Sequence, residues 1–120
     1  MMKNIQRIHT RARMSQLVIH DGRVYLAGQV ADDTDVDIAA QTQQVLDKIE
    51  ALLAEAGCDK TMMLSAMIWL PDIANYDAFN TVWDSWLPMR CVPVRACVEA
   101  RLAGAQYLVE VSIVAAQSVS

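Results

Sequence analysis

Apolar and polar residues follow one another along the chain in blocks that predict strands and helices. Two apolar segments, 17–20 and 23–30, flank the pair Asp21-Gly22. Asp-Gly is favoured in the two-residue turn of a β-hairpin, because both turn positions need a positive φ. Gly28 interrupts the second segment, which is typical of a bulge or of a close approach by another group. These residues therefore predict a β-hairpin.

A long amphipathic helix is predicted over 36–56. Apolar residues recur there at spacings of three and four and form one stripe, whereas polar residues such as Gln41 are expected to face solvent. The polar cluster 32–35 offers side chains that can cap the helix. Gly57 stands where a helix commonly ends in a left-handed residue.

The second half of the chain predicts three more strands and one helix. Segment 63–70 is apolar on nearly both faces, which favours an inner strand. A helix is predicted over 75–87. Strands are predicted over 93–100 and 107–115, and a short turn around Ala103-Gly104 is expected to join them into a second hairpin.

The resulting order, β-β-α-β-α-β-β, predicts one α+β domain over residues 1–120. Its sheet is expected to carry two helices on one face. A chain of this length buries about two thirds of its unfolded surface, which suffices for a core without metals or disulfides. The uncovered face of the sheet needs a partner, so an oligomer is expected.

Charge and hydropathy narrow the partners and the compartment. The net charge of −4 argues against nucleic acid, whose phosphates favour clustered Lys and Arg. The basic segment 1–16 is predicted to be a frayed arm and lacks the apolar centre of a secretory signal. No apolar run reaches the roughly 18–20 residues that span a bilayer. A cytoplasmic protein without a membrane partner is expected.

The sequence contains no pattern typical of a metal or cofactor site. The cysteines, Cys58, Cys91 and Cys97, form no CxxC pair, and with His9 and His20 they make no zinc set. Neither a GxGxxG segment nor a Walker sequence is present. Any reaction is therefore expected to use side chains, backbone amides and water.

Arg95 and Glu110 are the most informative polar residues, because each lies in an apolar predicted strand. A buried guanidinium must be paired, since an unpaired charge in a core costs several kcal/mol. In one interpretation the two residues neutralise one another across paired strands or bridge subunits. In the other, Arg95 faces a cleft and grips a ligand carboxylate with two hydrogen bonds, while Glu110 activates a water. These residues alone leave both interpretations open.

Cys97 is expected to share a strand face with Arg95. No histidine lies near it in sequence to activate a thiolate. A packing role, or a contact through its backbone, is therefore the expected one.

From about Leu17 to Ala116 the chain resembles the RidA family of reactive intermediate deaminases. The resemblance depends on the Ala27-Gly28-Gln29 segment, on Asn80, and most specifically on P-x-R-x-x-V-E at 93–99 followed by Val109-Glu110-Val111. It implies a chorismate-mutase-like homotrimer with a central barrel and active-site clefts between subunits. It also implies cofactor-free hydrolysis of imines and enamines, such as 2-aminoacrylate, to 2-oxo acids and ammonia.

The resemblance also implies roles for single residues. Arg95 matches the arginine that binds the substrate carboxylate, and Glu110 matches the glutamate assigned to position the attacking water. Cys97 matches a residue that lines the cleft and contacts the ligand through its backbone. Gly28 matches the glycine of the Ser-Gly-Gln segment of the family.

The chain departs from the family pattern at three places. Ala27 replaces the serine before that glycine, Met14 stands where a tyrosine often closes the mouth of the cleft, and loop 102–106 lacks the usual proline. These departures keep open a second hypothesis, a non-catalytic module that binds or senses a 2-oxo acid. Ribonuclease and holdase roles, which have been attached to members of the family, are further alternatives.

Overall fold

The computed structural model describes residues 4–117 and forms one six-stranded mixed sheet with two helices. The strand order across the sheet is β1-β2-β3-β6-β4-β5. The predicted α+β class is confirmed. The elements are β1 (Gln6–Thr10), β2 (Ser15–His20), β3 (Arg23–Leu26), α1 (Ile38–Glu55), β4 (Met63–Leu70), α2 (Tyr76–Trp86), β5 (Val94–Glu99) and β6 (Glu110–Ala116).

The predicted first hairpin is confirmed as β2 and β3. Its turn residues Asp21 and Gly22 have φ values of 53° and 75°, as the two-residue turn requires. The second strand is shorter than expected and ends at Leu26.

The prediction of a frayed N-terminal arm is wrong for β1, Gln6–Thr10. This segment pairs antiparallel with β2, from Gln6 opposite Ile19 to Thr10 opposite Ser15. It is an edge strand whose residues are exposed except for the partly buried Ile8. An edge strand with so little burial shows almost no alternation of polar and apolar residues, so the pattern missed it.

The first helix begins later than the predicted capping cluster implied. Asp37 is the N-cap, and its side chain accepts a hydrogen bond of 2.9 Å from the backbone N–H of Ala40. The expectation that residues 32–35 cap the helix is therefore wrong. Gly57 follows the helix with a φ of 69°, which confirms the predicted left-handed end.

Gln41 is fully buried, so its predicted exposure to solvent is wrong. Its Nε2 donates to the carbonyls of Thr34 and Gln106 at 3.2 and 3.1 Å. Its Oε1 accepts from the backbone N–H of Leu108 at 3.0 Å. The side chain therefore joins the segment before α1 to the segment before β6.

The predicted hairpin of the last two strands is also wrong. β5 pairs in parallel with β4 and forms an edge of the sheet, whereas β6 lies between β3 and β4 and is antiparallel to both. The connection 100–109 carries the chain past β4. The alternate residues Val111 and Ile113 of β6 are fully buried in the core, and β6 has a neighbouring strand on each side.

The core lies between the sheet and the helices. Ala66, Ile68 and Leu70 of β4 are buried there, together with Phe79 and Trp83 of α2. The other face of the sheet is partly open, and its alternate residues are only half-buried or exposed. These include Ser65, Met67, Trp69, Tyr25 and Val98. Within residues 4–117, no helix is both long enough and apolar enough to cross a membrane.

Candidate active site

Arg95 lies on the helix side of the edge strand β5. Alternation along the strand places it there, opposite Ala66 of β4, whose side chain is buried against the helices. The central guanidinium carbon lies 5.6, 5.6 and 5.7 Å from three ring centroids of α2, those of Tyr76, Phe79 and Trp83. Its Nη2 donates a 2.7 Å hydrogen bond to Oδ1 of Asn80 on the same helix.

No carboxylate among residues 4–117 forms an ion pair with Arg95. The interpretation in which Arg95 and Glu110 neutralise one another within the chain is therefore wrong. A guanidinium has five N–H donors, and the bond to Asn80 uses one of them. The aromatic rings attract the cation without taking up its donors. Arg95 thus keeps its charge and enough donors to bind a carboxylate with two bonds.

Glu110 lies at the start of β6 on the open side of the sheet, opposite Trp69. Burial raises the pKa of its carboxyl group, because a desolvated carboxylate is less stable than the neutral acid. A carboxylate with a raised pKa is a better proton acceptor than an ordinary glutamate.

Gly28 lies directly against the Glu110 carboxyl group. A Cβ at this position would overlap Oε2 of Glu110 and come within 2.9 Å of its carboxyl carbon. Between the pairs Tyr25–Val114 and Gln29–Val111, four steps along one strand face three along the other. This is the bulge or close approach that the glycine predicted.

One chain does not bring Arg95 and Glu110 together. Strand β4 lies between their strands, and the two side chains point to opposite faces of the sheet. Their partners on β4, Ala66 and Trp69, are three positions apart, or roughly 10 Å along the strand. The expected direct pairing of their two strands is therefore wrong.

Cys97 lies on the same side of β5 as Arg95. Burial raises the pKa of its thiol, and the nearby Arg95 charge offsets this only in part. The thiol therefore stays protonated at neutral pH, which agrees with a packing role and not with a nucleophilic one.

Ala27 directly follows β3, and Met14 directly precedes β2. The N–H of Ala27 donates to the carbonyl of Gln16 at 2.9 Å, next to the Gly28–Glu110 contact. Met14 is exposed in the β1–β2 turn, where its carbonyl accepts a 2.8 Å hydrogen bond from the backbone N–H of Arg11.

The sequence did not predict how α2 contacts Arg95. From the sequence, Tyr76, Phe79 and Trp83 are expected only as part of the buried face of this helix, and Asn80 enters only through the family resemblance. Tyr76 is instead exposed. A signal was nevertheless present, since positions 76, 79, 80 and 83 have the spacing of residues that share one helix face. Within residues 4–117, no three His, Cys, Asp or Glu side chains gather closely enough to hold a metal ion.

Comparison with known proteins identifies relatives along nearly the whole chain. The family model described as endoribonuclease L-PSP matches residues 4–117. A RutC family protein of Haemophilus ducreyi is 42% identical over 112 residues, which cover 93% of this chain and 96% of the relative. The chain belongs to this family, the RidA family that its sequence resembles.

Other comparisons agree with the RidA assignment. The RutC family protein YoaB of Escherichia coli K12 is 40% identical over 112 residues, covering 93% of this chain and 97% of the relative. The solved structure of a YjgF family member from Neisseria meningitidis is 40% identical, has a TM-score of 0.93 and covers 98% of each chain. These names give family membership, and the family model adds the term endoribonuclease.

Proposed function

We propose that this RidA family protein hydrolyses imines and enamines derived from amino acids, giving 2-oxo acids and ammonia. The observation that carries the proposal is the state of Arg95. Its guanidinium is held by a neutral amide and three aromatic rings, and it has no carboxylate partner within residues 4–117. A charge kept in this way is suited to the carboxylate of a small substrate.

The reaction needs only water and protein groups. An enamine first tautomerises to its imine, whose carbon is electrophilic, and Arg95 holds the substrate carboxylate so that this carbon has a fixed position. Glu110, as a carboxylate, accepts a proton from the water that attacks the imine carbon. Glu110 passes this proton to the imine nitrogen, which gives the carbinolamine. The hydroxyl group of the carbinolamine then loses its proton, which is transferred to the amino group through Glu110. The C–N bond breaks as the C=O bond forms, and ammonia and the 2-oxo acid leave.

The cleft requires a second copy of the chain, because β4 separates Arg95 from Glu110 within one subunit. In the trimer that the resemblance implies, Arg95 and Cys97 of one subunit face Glu110 and Gly28 of its neighbour. Ala27 and Met14 then line the rim of the cleft. The partly exposed apolar face of the sheet supports such an assembly, since it offers surface for burial between copies.

A non-catalytic carboxylate-binding module is the second candidate. It is favoured by Ala27 and Met14, which lack the hydroxyl groups that the family pattern supplies there. It would bind a 2-oxo acid saturably without accelerating imine hydrolysis. The family model's name also makes RNA cleavage an outcome to be tested, although the net charge of −4 weighs against a nucleic-acid substrate.

The test supplies an imine from an amino-acid oxidase and follows formation of the 2-oxo acid with and without the protein. Arg95→Ala is expected to abolish both pyruvate binding and catalysis. Glu110→Gln is expected to retain pyruvate binding and to lower turnover by about 100-fold or more, because it removes the proton acceptor. Arg23→Ala, which removes an exposed arginine of β3, serves as the matched control.

Full activity of Arg95→Ala would contradict the proposal. Saturable pyruvate binding by the wild-type protein without any acceleration would favour the binding module. RNA cleavage that persists in both Arg95→Ala and Glu110→Gln would identify a different site.

A further inference from the structure

Four residues on one face of α2 contact the Arg95 guanidinium. Tyr76, Phe79 and Trp83 place their rings 5.6 to 5.7 Å from its central carbon, and Asn80 accepts its 2.7 Å hydrogen bond. We propose that Asn80 is a positioning residue that fixes the orientation of Arg95 while leaving its positive charge available to the substrate. This inference rests on the carboxylate-binding role proposed for Arg95.

The aromatic rings alone do not set the direction of the guanidinium fork. They attract the charge of the cation, but they offer no acceptor that selects one N–H over another. Among the described residues, the hydrogen bond from Nη2 to Asn80 is the one directional polar contact of this side chain. It fixes one edge of the guanidinium plane against α2 and so turns another edge towards a ligand.

A neutral acceptor is important at this position. An aspartate has nearly the same shape as asparagine and would accept the same hydrogen bond. Its negative charge would however form an ion pair with Arg95, and charge-assisted pairs are roughly twice as strong as neutral hydrogen bonds. The substrate carboxylate would then have to compete with a carboxylate of the protein.

The experiment compares Asn80→Asp and Asn80→Ala with the wild-type protein. The measured quantities are KM for the imine, kcat, Kd for pyruvate and the melting temperature. Asn80→Asp is expected to raise KM and Kd on the order of 10- to 100-fold, with a smaller change in kcat and an unchanged or higher melting temperature. Asn80→Ala is expected to raise KM and Kd by only about 5-fold, because it removes one orienting hydrogen bond.

Ser85→Asp is the matched control for charge. Ser85 is exposed on the same helix, and its hydroxyl donates to the carbonyl of Thr81. The Ser85→Asp substitution therefore adds a negative charge to α2 at a position that does not contact Arg95. Its KM and Kd are expected to equal those of the wild-type protein.

Which of the two variants, Asn80→Asp or Asn80→Ala, raises KM and Kd more distinguishes a positioning role from a merely structural one. A structural side chain would tolerate the isosteric change to Asp and lose most from the truncation to Ala. Wild-type KM and Kd in Asn80→Asp, in a protein that does bind pyruvate, would overturn the role of Asn80 and leave the proposed function intact. A wild-type protein that neither binds pyruvate nor hydrolyses the imine would overturn the proposed function and the role of Asn80 with it.

Discussion

At the scale of single residues, the two proposed site groups have opposite surroundings. Arg95 is surrounded by rings and an amide, which accept its charge without neutralising it. Glu110 lies partly desolvated against the backbone of Gly28, and this burial raises the pKa of its carboxyl group. One environment keeps a cation available for binding, and the other makes a carboxylate ready to take a proton.

The raised pKa of Glu110 predicts the acid side of the pH–rate profile. The carboxyl group must be ionised to accept a proton, so kcat/KM is expected to fall as the pH falls through this raised pKa. The midpoint should lie above the pKa of an ordinary glutamate side chain. The measurement is kcat/KM against pH for the wild-type protein and for the residual activity of Glu110→Gln, which is expected to lack this limb. An identical limb in that variant would assign the titration to another group.

At the scale of elements, Gln41 fixes the end of the long connection between β5 and β6. The ten residues between β5 and β6 must cross β4, and Gln41 binds the end of this connection through the backbone of Gln106 and Leu108. The start of β6, and with it Glu110, follows two residues later. Gln41 of α1 thus holds the backbone in place just before β6 begins.

Replacing Gln41 by Leu is expected to destabilise the protein by about 2 kcal/mol or more. Leucine matches the size of the side chain, but the carbonyls of Thr34 and Gln106 and the N–H of Leu108 lose their part-buried hydrogen bonds, each worth about 0.5–1.5 kcal/mol. Gln43→Leu on the same helix is the control, because Gln43 is exposed and bonds only the Asp47 side chain. Denaturant unfolding at one protein concentration measures both, and equal midpoints would contradict the role of Gln41.

Most of the helices and strands were predictable, but their neighbours in the sheet were not. The hairpin turn at Asp21-Gly22, the stripe of α1 and the apolar strand β4 are local patterns, which the sequence contains in full. The place of β6 depends on which surfaces pack together over long distances, and the Ala103-Gly104 turn signal predicted the wrong partner. The edge strand β1 buries too little to leave a pattern.

The residues of the candidate site were likewise predictable in part, whereas their contacts were not. Arg95 and Glu110 could be predicted, because a charged residue in an apolar strand is conspicuous and because the 93–99 and 109–111 segments resemble a known family. The contacts of Arg95 could not, since they come from α2, which is distant in sequence. The burial of Gln41 was hidden because a polar residue next to an apolar stripe normally faces water.

At the scale of the whole molecule, the topology separates the two site groups that the chemistry needs together. Strand β4 lies between β5 and β6, and the register along these strands points Arg95 and Glu110 to opposite faces of the sheet. The exposed apolar residues of the open face and of β5, including Tyr25, Val94 and Val98, offer a surface on which copies can meet. We therefore propose that one subunit supplies Arg95 to each cleft and that its neighbour supplies Glu110.

Mixing the two inactive variants tests this claim most directly. Arg95→Ala and Glu110→Gln are unfolded together, refolded at equal amounts, and assayed for imine hydrolysis beside each variant refolded alone. If every cleft takes one residue from each of two neighbours, about one quarter of the clefts in randomly mixed rings regain both groups, and activity should return to about one quarter of the wild-type value. No recovery above the separate variants, in oligomers shown to contain both chains, would contradict a cleft that takes Arg95 and Glu110 from different subunits.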